Sequence, residues 1–537
     1  MRQLNYPTLK LRELVNLRPG WWLLLILIFA LPQTSPASEQ LIFSYSFEPP
    51  SLRQQADQSW IAMPGLPSRG DPGEPILPVK SVNILLPPGH RVAEIEVTAP
   101  PAEILPGFFT LSHGQKQFPL SHPEDWQPTP RDEEIYSSSS SFPAQAHHLA
   151  GSWSLCGYSI AVINLYPVSY VPATGTISYY PRMEIHLRMT ESPEALARTR
   201  HLLRSPEVMI QRITRLVVNP ERLNSYRNLL PSRENLKGAL VDTSEKYPYL
   251  IITDASLLSS FQPLAEFKTG RGQRARVITV QDITANYPGQ DVPEQIRNFI
   301  LDAYSGWETD FVLLGGDDEI IPHRGLYAEA FGYIDDDIPS DLYFGALDGS
   351  WNDDGDQLWG EPGEEDPFPE VSVGRAPVDS PEEVDHFVAK NIKYQQAPVM
   401  QQITEALMAG EQLFDNPVTW GGDYKDEIRF GAATNSCTTA SFPPQFNVHT
   451  LYDRDLGFSW WGGILTNMIN DGLHLINHVG HTSVDYALRM SADLVQNNLT
   501  NDGINSSFPI IYSQGCYAAS FDNRTPGGQY LDDCVAE

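Results

Sequence analysis

Hydrophobic and polar positions change their rhythm twice along the chain. In the first part, apolar residues alternate with polar ones in short runs: LIFSYSF at 41–47, SVNILLPPG at 81–89, RVAEIEVTAP at 91–100, SIAVINLYPVSYV at 159–171 and TISYYPRMEIHLRM at 176–189. Period-two alternation punctuated by Pro and Gly predicts antiparallel strands of an all-β, sandwich-like domain over 38–190. From 191 to 246 the pattern turns polar, basic and partly helical, with Arg198, Arg200, Arg204, Arg212, Arg215, Arg222, Arg227, Arg233 and Lys237. Such a stretch reads as a linker, the usual place for exposed processing sites. Over 247–537 short apolar runs alternate with helical spans. YLIITD (249–254), ARVITV (275–280), FVLLGG (311–316), VSVGR (371–375), EALMAGE (405–411) and NVHTLYD (447–453) are predicted strands, and Pro293 and Ser380-Pro381 mark helix starts. The βα succession predicts an α/β domain with a doubly wound, mostly parallel sheet.

Two further apolar runs, 473–477 and 508–513, each lead to a small residue and a reactive one: Gly480-His481 and Gly515-Cys516. Their Ile-rich interiors, without clean alternation, suit strands buried on both faces of a parallel sheet. The span between them is long enough for a crossover. Parallel neighbours would deliver His481 and Cys516 to the same carboxyl edge, where open α/β sheets place their sites. A cysteine attacks as thiolate, and a nearby imidazole takes its proton and returns it to the leaving amine. Glycine before each residue lets a substrate approach the backbone, and the N–H groups of Gly480 and Cys516 are candidates for an oxyanion hole.

At 537 residues the chain exceeds one core and suggests two or three domains. A hydrophobic content of 41% is globular, and a net charge of −31 argues against nucleic acid as a partner. Four cysteines, Cys156, Cys437, Cys516 and Cys534, are too few for a disulfide scaffold. Near the N-terminus Lys10, Arg12 and Arg18 precede WWLLLILIFALP (21–32) and a small-residue exit, which reads as a signal peptide over 1–37 cleaved after Ala37. This route predicts a secreted or cell-surface protein with no membrane segment beyond the signal. No glycine-rich phosphate loop follows any predicted strand, so no nucleotide is assigned.

NHVGH (477–481) and GCYAASFD (515–522) resemble the His and Cys motifs of the gingipain-like cysteine peptidases. FVLLGGDDEIIP (311–322), SDLYFG (340–345), VSVGRAPV (371–378) and CVAE (534–537) match the same family in order, over about 249–537. Thr482 and Ala519 depart from it, each standing where the family has glycine. The resemblance implies a caspase-like α/β/α catalytic domain, with His481 as general base and acid and Cys516 as nucleophile. It implies that Glu411 assists the imidazole, and that Asp423 lies near the acid of an Arg-selecting pocket. GEPILPV (73–79) resembles the pro-domain that precedes such domains and is expected to dock on the catalytic one. The expected function is a secreted cysteine endopeptidase acting on protein or peptide substrates, with cleavage after basic residues as the expected preference. The alternatives are a surface-sorting transpeptidase with the same dyad and a non-catalytic adhesin that keeps the fold. A relative of this family is expected to continue beyond Glu537, so the catalytic domain reads as truncated.

Catalysis by thiol and imidazole requires no cofactor. The acidic loop DGSWNDDGDQLWGE (348–361) is dense in oxygen ligands. Counted from Ser350, it puts Asn352, Asp354, Gly355 and Glu361 at positions 3, 5, 6 and 12 of a helix-loop-helix calcium loop. The first position is Ser rather than Asp, and flanking helices are not evident. The expectation is therefore a looser structural Ca²⁺ site from Asp348, Asn352, Asp354, Asp356 and Glu361. Zinc is disfavoured, because His478 and His481 lack further ligands nearby.

Overall fold

The computed structural model describes residues 40–537 apart from 56–57, 116–128, 194, 197–198, 200–206, 227–239, 331–332, 367, 416–417, 435–436, 526 and 532. The signal segment, Arg233 and Lys237 lie outside the described residues. Among those described, no helix is long and apolar enough to cross a membrane.

The alternating N-terminal part folds into two antiparallel sheets. One joins β1 (Gln40–Ser46), β3 (His90–Thr98) and β6 (Arg182–Glu191), with β6 central. The other joins β2 (Lys80–Leu85), β4 (His147–Leu155) and β5 (Tyr158–Leu165), with β5 central. Val82, Ile84, Ala161 and Ile163 meet Met183, Ile185 and Leu187 between the sheets, all fully buried. Their neighbours Glu184, His186 and Arg188 point outward, as period-two strands require.

The stretch expected to be linker is shorter than its charge suggested. Helix α1 (Glu207–Leu216) buries Ile213 against the N-terminal domain, together with Val217. Beyond it, Asn219 brackets Leu85: its side-chain oxygen takes the Leu85 N–H at 2.8 Å and its amide donates to the Leu85 carbonyl at 2.9 Å. The Tyr226 hydroxyl donates to Leu86 O at 2.7 Å. These long-range bonds tie 207–226 to the sandwich, because the helix carries an apolar stripe among its arginines.

The C-terminal half contains two four-stranded parallel sheets rather than one continuous doubly wound sheet. The first orders β8 (Ala275–Thr279), β7 (Tyr249–Thr253), β9 (Phe311–Gly315) and β12 (Ser372–Ala376). The hairpin β10 (Arg324–Ala330) and β11 (Tyr333–Ser340) projects between its third and fourth strands. The second sheet orders β14 (Asn447–Tyr452), β13 (Glu405–Gly410), β15 (Leu475–Val479) and β16 (Ile510–Gln514). Both follow the spatial order second–first–third–fourth, so each has a switch point between its first and third strands. Helices α2 (Leu258–Gly270), α3 (Val292–Gly306) and α4 (Pro381–Gln396) cover the first sheet; α5 (Gly421–Phe430), α6 (Gly462–Gly472) and α7 (Ala492–Asn498) accompany the second. Helix α4 starts at the expected Ser380-Pro381, with the Ser380 hydroxyl accepting the Glu383 N–H at 3.4 Å. Apolar clusters separate by sheet, two around the first and one around the second.

One burial expectation fails. Strand β15 is well buried, but β16 is the sheet edge, with Ile510 52%, Ile511 42% and Tyr512 57% exposed. A run of apolar residues reports the pairing of a strand and not whether both faces are covered.

The two halves are clamped near the end of β12. Arg375 donates twice to Asp341, at 2.9 and 2.7 Å, and to the carbonyls of Gly316, Asp317 and Ile321. The Phe521 ring, from the second sheet's last loop, stacks 4.4 Å from the same guanidinium.

Candidate active site

Strands β15 and β16 run parallel with Val479 opposite Gln514. The Gly480 N–H continues this ladder to the Gln514 carbonyl at 3.2 Å. Two residues beyond the Val479–Gln514 pair stand His481 and Cys516, both exposed, at the same carboxyl edge. The residue after Cys516, Tyr517, has φ +57°, so the chain turns sharply away and leaves the thiol on the rim.

The His481 ring is oriented by backbone. Its Nε2 lies 3.1 Å from the Gln412 carbonyl, and because a carbonyl can only accept, Nε2 carries the proton. Nδ1 is then the basic nitrogen. Glu411 lies beneath the residue, as the resemblance implied, but it does not hold the ring: its Oε2 accepts the His481 main-chain N–H at 3.4 Å. Its Oε1 faces Nε2 of fully buried His478 at 3.0 Å, and Oε2 meets Nε of Arg489 at 3.2 Å. Arg489 pairs with Asp453 through two nitrogens at 2.8 Å each, and Asp453 also accepts the N–H groups of Gln412 (2.7 Å) and Trp460 (2.8 Å). Burial alone would lower the Arg489 pKa, but its bonds to Asp453 and the Glu411 charge more than offset this and raise it. This satisfied buried network fixes the strand ends from which His481 and Gln412 emerge. Gly480 has no freedom here, since a Cβ would sit 2.3 Å from Glu411 Cδ.

Arg489 and Asp453 were not singled out in the sequence, and His478 was weighed only as a zinc ligand. The available signal was His478 itself, an imidazole two residues before Gly480 in a buried strand, which had to find polar partners.

Two expected roles are corrected. The Gly480 N–H donates within the sheet and is not available to an oxyanion; among the described residues no acceptor takes the Cys516 N–H. Asp423 is fully buried on α5 and ion-paired with Arg454, whose other nitrogens hold Asp426 and Asp455, each at 2.8 Å. A carboxylate so enclosed does not meet a substrate side chain. It fell where it did in sequence because the first turn of a helix favours an acid. The open space beside Cys516 is a cavity of about 450 Å³. It is walled by the Cys516–Thr525 turn and by Asp335, Ile338 and Pro339 of the β11 hairpin strand. Within it Arg524 meets Asp335 at 3.2 Å, Asp337 at 3.5 Å and Asp522 at 3.6 Å.

The acidic loop divides into two groups. Asp354, Asp356 and Glu361, three of the five expected ligands, have carboxylate oxygens within 4.8 Å of one another at the surface. Asn352 instead turns its side-chain oxygen to the Gly355 N–H at 2.7 Å. Asp348 is separated from them and lies buried with Asp366 beside half-buried Glu370, again within 4.8 Å. Burial and the neighbouring acids push the Asp366 carboxyl up to about 7 and that of Glu370 up to about 8.

A thiol and an imidazole at one parallel-sheet edge, over a buried carboxylate and in a chain that also carries an antiparallel β-domain, define a class of two-domain α/β protein with a cysteine at the sheet rim. The chain belongs to Peptidase family C25, whose family model matches residues 242–537, and the C25 propeptide model matches residues 47–211. It is 22% identical over 262 residues to gingipain R2 of Porphyromonas gingivalis, covering 48% of this chain and 30% of that protein. It is also 22% identical over 298 residues to an uncharacterized protein of Archaeoglobus fulgidus, covering 51% of this chain and 67% of the relative. The chain thus spans about a third of the gingipain's length. Among solved structures, the complex of the pro- and mature domains of P. gingivalis RgpB is similar at 19% identity and a TM-score of 0.38. That match covers 54% of this chain and 58% of the other.

Proposed function

We propose that this chain is the latent form of a secreted or cell-surface cysteine endopeptidase, with Cys516 as nucleophile and His481 as general base and acid. The observation that carries the reading is the parallel register of β15 on β16, which brings two exposed reactive residues to one edge beside a cavity. Nδ1 of His481 takes the thiol proton, the thiolate attacks the scissile carbonyl, and the Cys516 N–H donates to the developing oxyanion. The imidazolium is steadied by the Gln412 carbonyl and returns its proton to the leaving amine; water then hydrolyses the thioester.

A preference for a basic residue before the scissile bond rests on the acids of the cavity rather than on Asp423. Asp335, Asp337 and Asp522 already gather round a guanidinium, that of Arg524. The N-terminal domain is read as the pro-domain, docked through the hairpin β4–β5, whose Cys156 N–H reaches Glu370 at 3.0 Å. Maturation within 227–239, after Arg233 or Lys237, would release it.

The test is labelling of the mature form with a peptidyl acyloxymethyl ketone, together with peptide-library cleavage and mass spectrometry of the products. Labelling at Cys516, lost in Cys516→Ala, and hydrolysed products support the reading. Products joined to an added amine would make it a transpeptidase, and an unreactive Cys516 in the mature form would refute it.

A further inference from the structure

We propose that Thr482 is a positioning residue for the nucleophile: its branched side chain, seated on Gly515, holds the ends of β15 and β16 apart and keeps the Cys516 N–H out of the sheet, free for the oxyanion. The inference rests on the reading of Cys516 as nucleophile and adds a residue that acts through the Cys516 main chain.

The sheet stops one bond early. Hydrogen bonds in a parallel pair are evenly spaced and slanted, each strand donating in turn. The Gly480 N–H reaches the Gln514 carbonyl at 3.2 Å, so the next rung would run from the Cys516 N–H back to the Gly480 carbonyl. That bond is not formed, and among the described residues the Cys516 N–H has no acceptor. The turn that carries the chain away has its left-handed residue at Tyr517, with φ +57°, one position beyond this N–H.

Thr482 stands where the missing rung would lie. A Cβ on Gly515 would overlap Cγ2 of Thr482, and would come 2.7 Å from its Oγ1 and 2.9 Å from the Gly480 carbonyl oxygen. The threonine side chain therefore rests on the Gly515 backbone, and only glycine at 515 admits it. Oγ1 is buried and has no hydrogen-bond partner among the described residues. A hydroxyl so placed costs stability and supplies no bond. What threonine contributes here is shape, a branched Cβ whose rotation is restricted. The sequence marks the same position, since Thr482 replaces a glycine of the resembling family, and glycine has no side chain to wedge between strands. With the Gly480 N–H committed to the sheet, the proposed oxyanion depends on the Cys516 N–H, so the wedge bears on kcat rather than on KM.

Hydrogen exchange and kinetics test this together. In the full, unprocessed chain carrying Cys516→Ala, the amide of residue 516 should exchange more slowly in Thr482→Ala, where the rung can close, and at the parent rate in Thr482→Val, which keeps both branches. In the mature form with Cys516 intact, Thr482→Ala should lower kcat about 10- to 100-fold with KM little changed, because an oxyanion donor is partly withdrawn. Thr482→Val should keep the parent kcat and raise the melting temperature by removing the unpaired hydroxyl. Should Thr482→Ala fail to fold, Thr482→Ser, which loses only the Cγ2 branch, carries the same expectation in direction. A loss of kcat in Thr482→Val equal to that in Thr482→Ala would mean that the hydroxyl acts by hydrogen bonding and would overturn the proposal. So would an amide that exchanges equally fast in Thr482→Ala and the parent, since the turn at Tyr517 would then be what frees it. Exchange is read without turnover. A parent protein with no activity and an unlabelled Cys516 would therefore refute the catalytic reading by itself, whereas slowed exchange with unchanged kcat in Thr482→Ala would refute the role of the wedge alone.

Discussion

Glu411 is the most informative residue to change, because its role differs from a carboxylate that grips an imidazole. Replacing it with glutamine keeps the size and removes the charge. Three partners face it: His478 at 3.0 Å, Arg489 at 3.2 Å and the His481 N–H at 3.4 Å. Hydrogen bonds to charged groups contribute about 1.5–3 kcal/mol each. Gln can keep one as acceptor, but its amide would face the Arg489 guanidinium, which stays paired with Asp453. The expected loss is about 2–4 kcal/mol of stability, measured by urea unfolding. Trp460 fluorescence is a suitable probe, since that ring lies edge-on to His478 at 6.2 Å. Displacing His481 by a fraction of an ångström to about 1 Å should lower kcat by about 10- to 100-fold with KM little changed. The discriminating measurement is the split between kcat and KM: the ring rests on the Gln412 carbonyl and not on Glu411, so the variant keeps its base and its substrate affinity and loses turnover. Stability and kcat both equal to wild type, or a KM that rises while kcat is unchanged, would refute the positioning role.

Cys516→Ala should abolish turnover while leaving stability within about 0.5 kcal/mol, because the side chain is exposed; thermal melting and a peptide-cleavage assay check both. Gly480→Ala should lose most activity, since its Cβ would meet Glu411, and turnover relative to Cys516→Ala measures this. Asp423→Asn should destabilise by roughly 1–3 kcal/mol through the buried pair with Arg454 and leave the preference before the scissile bond unchanged; library cleavage showing a changed preference would restore Asp423 to the pocket. Lys425 is 1% exposed, its amine donates to Asn477 at 2.7 Å, and burial pushes its pKa down to about 8. Between that value and the unfolded one near 10.4 the unfolded chain binds more protons, so stability rises with pH across this window and falls as pH drops through about 8. Lys425→Met should remove that slope, as followed by chemical denaturation at pH 7 to 10.

Much of this architecture was written in local pattern. Period-two alternation around Val82, Ile163 and Ile185 announced the antiparallel domain, because a half-buried strand must alternate. The βα rhythm from Tyr249 announced parallel sheets, and Ser380-Pro381 marked its helix start through cap chemistry that needs no distant partner. The pairing of Gly480-His481 with Gly515-Cys516 was legible because a strand end followed by a small and a reactive residue is itself a local signal.

What only the tertiary structure decided involves partners far apart in sequence. Glu411 meets His478 and Arg489, Asp423 meets Arg454, and Asp348 leaves its own loop to join Asp366 and Glu370; nothing near any of these residues encodes the partner. The division into two sheets and the exposure of Ile510, Ile511 and Tyr512 belong to the same category, since an apolar run states that a strand pairs but not which neighbours cover it. Sequence determined which groups could react and which elements carry them, through periodicity and capping that act within a few residues. The fold decided which carboxylates are buried, which charges are already neutralised and which nitrogen of His481 holds its proton, because burial and electrostatics depend on everything packed around a group.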